Sequence, residues 1–142
     1  MIPSRDTNLW EETAAVAAPH APSLDVDSKA DVLVVGAGYL GLSAALHLAE
    51  AGVGGVVVLD AQGPGWGASG RNGGQVIPGL KYDPDELEAV FGRERGERLW
   101  RFAGGTADVV FDLVRRHGLN SGARRTAWVQ AVHSAKALER AK

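Results

Sequence analysis

Two short runs of aliphatic residues, separated by an alanine- and leucine-rich stretch, dominate the hydrophobic pattern of the first half of the chain. The runs are Val32–Val35 and Val56–Leu59, and each predicts a parallel strand buried on both faces. Residues 40–51 are strong helix formers, and Gly52 is well placed to end that helix. A strand, a helix and a second strand within about 30 residues form a βαβ crossover. The pattern therefore predicts the α/β class, with a Rossmann-like unit followed by helices.

The next apolar stretches have helical spacing. Asp83, Pro84 and Glu86 form a capping-box pattern, which predicts a short helix that begins there and runs to about residue 91. An apolar stripe over residues 94–117 predicts a longer helix. The glycine pair at 104–105 is its weak point, because glycine lowers helix stability by about 1 kcal/mol relative to alanine.

The two ends of the chain are less regular. Prolines and polar residues predict an irregular segment over residues 1–29, so we place the start of the folded region at residue 30 and extend it to residue 142. Residues 126–131 have the composition of a strand. Ser134 can cap a last helix that begins at Ala135.

The turn between the first predicted strand and helix contains the pattern G-x-G-x-x-G. Gly36 permits a tight turn, Gly38 lets a pyrophosphate approach the backbone, and Gly41 lets the helix pack closely on the strand. The pyrophosphate would meet unpaired N–H groups at the positive end of the helix dipole. Asp60 ends the second strand, where a carboxylate can accept hydrogen bonds from ribose hydroxyls and disfavours a 2′-phosphate. The alternative is a glycine-rich turn without a ligand.

A second glycine-rich segment, residues 65–75, follows Asp60 closely. It can run along the pyrophosphate toward a flavin ring, with Ser69, Arg71 and Asn72 as hydrogen-bond donors. The glycine pair at 73–74 would allow the backbone near the ring edge. The alternative for a loop of this composition is a disordered surface segment.

Composition excludes several other classes of function. The chain has a net charge of -2, and no basic patch predicts binding to nucleic acid or to a membrane surface. It contains no cysteine, which removes disulfides, zinc–thiolate sites and thiol catalysis. The four histidines lack metal-ligand spacing, so we predict no metal site. No serine has the surroundings of a hydrolase nucleophile, so hydrolase chemistry has no support. No leader or membrane span is recognisable, which predicts a cytoplasmic location.

Three motifs together resemble the D-amino-acid-oxidase-like family of FAD-dependent oxidoreductases. They are ADVLVVGAGYLGLSAALHLAEAG, then VVVLDA, then GWGASGRNGGQ. The chain looks most similar to the gamma-glutamylputrescine-oxidase-like branch, which the segments NLWEETA, DPDEL and LWR also resemble. An aspartate at position 60, where glutamate is common in the family, and the segment RRTAW at 124–128 depart from the family pattern.

The resemblance implies FAD as the cofactor. The motifs and the resemblance together predict these cofactor-binding residues: Gly36, Gly38, Tyr39, Leu40, Gly41, Asp60, Ala61, Gly67, Ala68, Ser69, Arg71, Asn72, Gly73, Gly74 and Gln75.

The resemblance also implies a reaction, in which a hydride leaves the carbon that bears the nitrogen of a small amine or amino acid and passes to flavin N5. Because the cofactor performs the difficult step, we predict no catalytic residue in this chain. Family members continue into a substrate domain and a second FAD-binding segment, so we expect the chain alone to have little oxidase activity. Two alternatives stay open: an NAD-linked dehydrogenase domain, and a non-catalytic remnant.

Overall fold

The computed structural model describes residues 8–14, 16, 20–127, 129 and 131–140. The chain divides into two compact units, Met1–Gln75 and Val76–Lys142. Within the described part of the chain, no helix is long and apolar enough to cross a membrane. The cytoplasmic location stays a prediction.

The first unit contains the predicted βαβ crossover. Strand β1 is Val32–Val35, and it pairs in parallel with β2, Val56–Leu59. Between them lies helix α2, Tyr39–Glu50, and Gly52 follows it with a left-handed φ of 79°. The strand boundaries and the position of Gly52 are as predicted, because local composition and glycine geometry specify both.

A short helix, α1, Leu9–Thr13, precedes the crossover. The irregular segment predicted for residues 1–29 is wrong at this point. The side chain of Asn8 accepts hydrogen bonds from the backbone N–H groups of Trp10 and Glu11, and this cap starts the helix.

Burial on both faces of the sheet was also predicted, and it is wrong for β1. Exposure alternates along the strand: Val32 and Val34 are half-buried, whereas Leu33 and Val35 are 54% and 80% exposed. Helix α2 covers one face, and in the described residues the segment before β1 lines only part of the other, through Leu24 and its neighbours. A parallel sheet is buried on both faces only where a layer packs on each side.

The second unit is helical. It contains α3, Pro84–Phe91, then α4, Arg93–Gly104, α5, Thr106–Arg116, and α6, Ala135–Arg140. The predicted capping box is confirmed at the start of α3, where the Asp83 N–H donates to Glu86 Oε2 at 3.0 Å. Ser134 Oγ accepts a hydrogen bond from the Ala137 N–H at 3.1 Å, which confirms its cap on α6.

Helices α3 and α4 pack closely across a tight turn at Gly92, whose φ is 78°. Leu87 of α3 is 1% exposed, and it is the largest fully buried side chain among the described residues. Gly96 of α4 faces the α3 backbone, where an added Cβ would lie 2.8 Å from the Glu88 nitrogen. The absence of a side chain at Gly96 therefore sets how closely the two helices approach.

Two sequence predictions for this unit are wrong. The single helix over residues 94–117 is two helices, because the glycine pair at 104–105 ends α4 and α5 begins at Thr106. No strand forms at the described positions of the segment 126–131. Trp128 and Gln130 of that segment lie outside the described residues.

Candidate functional site

The G-x-G-x-x-G motif forms the turn from β1 into α2, which we call the fingerprint turn, residues 36–41. Gly36 has a φ of 101°, which only glycine adopts without strain, and its N–H donates to the Leu59 carbonyl oxygen at 2.7 Å. At Gly41, a Cβ would collide with the Gly36 carbonyl oxygen and would lie 3.3 Å from Val34 Cγ1. These contacts agree with the predicted roles of the first and third glycines.

The N-terminus of α2 is a polar cradle. Gly38 is the N-cap residue, and the backbone N–H of Tyr39 donates to Ser69 Oγ at 3.0 Å. The N–H groups of Leu40 and Gly41 belong to the first turn, where the helix itself supplies no acceptor. Together with the helix dipole, such groups attract an anion. A Cβ on Gly38 would lie 2.9 Å from Ser69 Oγ, so a side chain there would displace the serine hydroxyl from the Tyr39 N–H.

Asp60 connects the end of β2 to the fingerprint turn. Its Oδ2 accepts the Ala37 N–H at 2.7 Å, and its Oδ1 accepts the Gln62 N–H at 2.9 Å. The hydrogen bond from Ala37 is the main reason that the pKa of Asp60 lies below its ordinary value, with a smaller contribution from Gln62. The carboxylate is therefore ionised at neutral pH. Its contact with a ribose stays a prediction.

The second glycine-rich segment, which we call the second loop, residues 65–75, is hydrogen-bonded to the fingerprint turn at three points. The Gly65 N–H donates to the Ala37 carbonyl oxygen at 2.8 Å. Ser69 accepts from Tyr39, as described above, and Asn72 Nδ2 donates to the Tyr39 hydroxyl at 2.9 Å. The loop is thus an ordered part of the first unit, against the alternative of a disordered surface segment.

Asn72 also organises the second loop internally. Its Nδ2 donates to the Ser69 carbonyl oxygen at 2.7 Å, and its Oδ1 accepts the Gly74 N–H at 2.8 Å. Gly74 has a φ of 70°, in the left-handed region. One amide side chain therefore joins the 3-10 turn at Ala68–Gly70 to the glycine pair that follows.

Arg71 and Trp66 hold the outer side of the second loop. Arg71 Nε donates to the Trp66 carbonyl oxygen at 2.7 Å, and the guanidinium lies 5.1 Å from the centre of the Trp66 ring. Trp66 thus anchors its own loop through Arg71.

All the predicted cofactor-binding residues lie in the first unit, at the fingerprint turn, at the end of β2 or in the second loop. Leu40 is 85% exposed at the start of α2, and Ala61 is exposed just after β2. Gly67 caps the 3-10 turn that begins at Ala68. A Cβ on Gly73 would lie 3.3 Å from Gln75 Oε1.

Sequence reasoning missed one residue at this site. Trp10 of α1 donates from Nε1 to the Asn72 carbonyl oxygen at 2.7 Å. A contact over 62 residues cannot be read from local sequence pattern.

A βαβ crossover with a glycine turn, an acidic residue after β2 and a second glycine-rich loop is the arrangement typical of dinucleotide-binding α/β domains. Residues 31–142 match the model of the DAO family, FAD-dependent oxidoreductases. The chain belongs to this family, and its cofactor is accordingly FAD.

Three relatives are similar to the chain. Gamma-glutamylputrescine oxidoreductase of Escherichia coli is 43% identical over 75% of this chain and 25% of its own length. The probable oxidoreductase OrdL of Rhizobium meliloti is 40% identical over 78% of this chain and 26% of its own. Mouse mitochondrial sarcosine dehydrogenase is 41% identical over 42% of this chain and 6% of its own.

The chain therefore spans about a quarter of the length of the first of these relatives. No solved structure matches it.

Proposed function

We propose that the chain is the N-terminal FAD-binding part of an oxidoreductase that oxidises the C–N bond of a small amine or amino acid. Hydride transfer to flavin N5 is the proposed reaction. The observation that carries the proposal is the cradle at the start of α2, where Ser69 Oγ meets the Tyr39 N–H beside Gly38. The names of two relatives, which refer to gamma-glutamylputrescine and to sarcosine, support an amine substrate.

The residues of the cradle fit a pyrophosphate. The Leu40 and Gly41 N–H groups supply donors, the Ser69 hydroxyl can donate as well, and the helix dipole adds positive potential. Gly38 leaves room for phosphate oxygens, because a side chain there would meet Ser69. The ionised Asp60 would accept from ribose hydroxyls with the lone pairs that its backbone contacts leave available.

The chain's own residues bind and orient in this proposal. Bound FAD supplies the hydride acceptor, and the protein supplies position and electrostatics. The second loop continues from the cradle through Asn72 and Gly74, and we propose that its backbone lies along the cofactor toward the flavin end. No side chain of this chain is assigned as acid, base or nucleophile.

The test is a titration of the purified chain with FAD, followed by flavin fluorescence and thermal shift, with NAD as the competing ligand. We expect saturable FAD binding that raises the melting temperature. Preference for NAD would contradict the proposal, and so would the absence of FAD binding by a folded chain.

A matched pair of glycine variants locates the site. Gly38→Ala should lower FAD affinity at least tenfold, because its Cβ enters the cradle beside Ser69. Gly54→Ala is the control, since a Cβ there meets nothing within 4 Å and Gly54 does not need a left-handed φ. Equal affinities of the two variants would show that FAD binds elsewhere.

A further inference from the structure

We infer that helix α1 is a strap that holds the second loop in shape, and that Trp10 is its positioning residue. The effect on cofactor affinity rests on the proposed function, whereas the effect on the loop itself does not. The strap acts at Asn72 and Gly74, which lie far from α1 in the sequence.

The hydrogen bond from Trp10 ends at the backbone of the residue that organises the loop. Trp10 Nε1 donates to the Asn72 carbonyl oxygen at 2.7 Å. The side chain of the same residue bonds to Tyr39, Ser69 and Gly74. A contact that fixes the Asn72 backbone therefore also orients the side chain that joins the second loop to the fingerprint turn.

The indole ring makes a second, independent contact with the loop. A Cβ on Gly74 would lie 3.1 Å from both Cη2 and Cζ2 of Trp10, so the ring packs directly over that glycine. Gly74 is thus required twice, for its φ of 70° and for the space that the indole occupies. The ring covers the part of the loop that follows Asn72.

The strap is too short to be stable by itself, and its long-range contacts in the described residues run from Trp10 to the second loop. Helix α1 has five residues and no buried side chain, and isolated helices of this length do not persist in water. Leu9 is 64% exposed, yet the larger Trp10 beside it is only 45% exposed. The coupling is reciprocal, so anything that orders the second loop also stabilises α1.

The first experiment measures the loop without cofactor. Trypsin cleaves after Arg71, directly before Asn72, and cleavage after Lys81 in the second unit serves as the internal reference. Trp10→Phe keeps an aromatic ring but removes the N–H donor and the Cη2 and Cζ2 atoms that contact Gly74. We expect cleavage at Arg71 to become at least about fivefold faster in this variant, since one lost hydrogen bond alone has that effect. Cleavage at Lys81 should not change.

Two controls separate the strap from general effects. Trp100→Phe makes the same substitution at a similarly exposed tryptophan of α4, which is 43% exposed. Leu9→Ala changes α1 next to Trp10 without touching the donor. Both should cleave at Arg71 at the wild-type rate. Faster cleavage in Trp100→Phe equal to that in Trp10→Phe would overturn the inference.

The second experiment measures FAD affinity of the same variants by flavin fluorescence. We expect Trp10→Phe to bind about fivefold more weakly than wild type, with both controls unchanged. If wild type binds no FAD, the proposed function fails while the cleavage rates still decide the strap. If wild type binds FAD and Trp10→Phe matches it in both affinity and cleavage, the strap is wrong and the FAD site stands.

Discussion

At the scale of single residues, Asp60 shows how one carboxylate can join two distant segments of backbone. It accepts N–H groups from the fingerprint turn and from the segment after β2, which are distant in sequence. One oxygen, Oδ2, reaches the Ala37 amide, and the other, Oδ1, reaches the Gln62 amide, so the short side chain links β2 to the fingerprint turn.

The lowered pKa of Asp60 predicts a pH dependence of stability. A group whose pKa is lower in the folded state contributes stability that is present above its unfolded pKa, near 3.9 for aspartate. That contribution is lost as the pH falls through the folded value, which lies below it. Asp60→Asn should therefore melt at a lower temperature than wild type at pH 7, and the difference should shrink as the pH falls below the unfolded pKa of aspartate.

Thermal melts of both proteins across this pH range make the measurement. Asp27→Asn, in the exposed segment before β1, is the matched control and should melt like wild type at every pH. A difference between Asp60→Asn and wild type that persists unchanged into acid would show that the ionised carboxylate is not what matters.

At the scale of elements, the sequence pattern predicted those helices and strands that depend on interactions between residues close in sequence. The aliphatic runs, the glycine turn and the capping box depend on neighbours in sequence, and β1, β2, α2 and α3 formed at those positions. The glycine pair at 104–105 showed where a long helix could end, but propensity alone did not decide that it does. At the described positions of the segment 126–131, no partner strand lies beside the chain, and composition carries no information about such a partner.

Two glycines of α4 predict opposite effects of the same substitution. Gly96→Ala places a Cβ against the Glu88 backbone, which cannot rotate away, and should lower the free energy of unfolding by about 2 kcal/mol. In Gly104→Ala the added Cβ meets nothing within 4 Å, so this variant should raise the free energy of unfolding by about 0.5 kcal/mol through helix propensity. Urea denaturation of the two variants measures the change in the free energy of unfolding for each. Equal changes would refute close packing at Gly96.

The alternation of half-buried and exposed side chains along β1 predicts different effects for two valine-to-alanine variants. Val34 faces α2 and approaches Gly41, so Val34→Ala should lower the free energy of unfolding by about 1 kcal/mol. Val35 is 80% exposed, and Val35→Ala should change the free energy of unfolding by less than about 0.5 kcal/mol. Urea denaturation decides between them. Equal losses would mean that the outer face of the sheet is covered in solution.

At the scale of the whole molecule, the candidate site combines segments whose contacts the sequence does not display. Glycine spacing identified the fingerprint turn and the second loop as separate motifs. The hydrogen bonds that join them depend on loop conformation, in particular on Asn72 and Ser69. Trp10 enters from a third segment through a long-range hydrogen bond to Asn72 and a ring contact with Gly74. The two glycine-rich motifs could therefore be predicted from the sequence, whereas the hydrogen bonds that join them could be read only from the three-dimensional structure.

The close pairing of α3 and α4 also has a consequence for the order in which structure forms. Their contacts join residues separated by one tight turn at Gly92, so the entropy lost on closing that loop is small. The parallel pair β1–β2 forms only after the connection through α2 has folded back. Chains with mostly local contacts fold faster than those that depend on distant pairing. We therefore expect the α3–α4 pair to appear earlier in refolding than the sheet that holds the cofactor cradle.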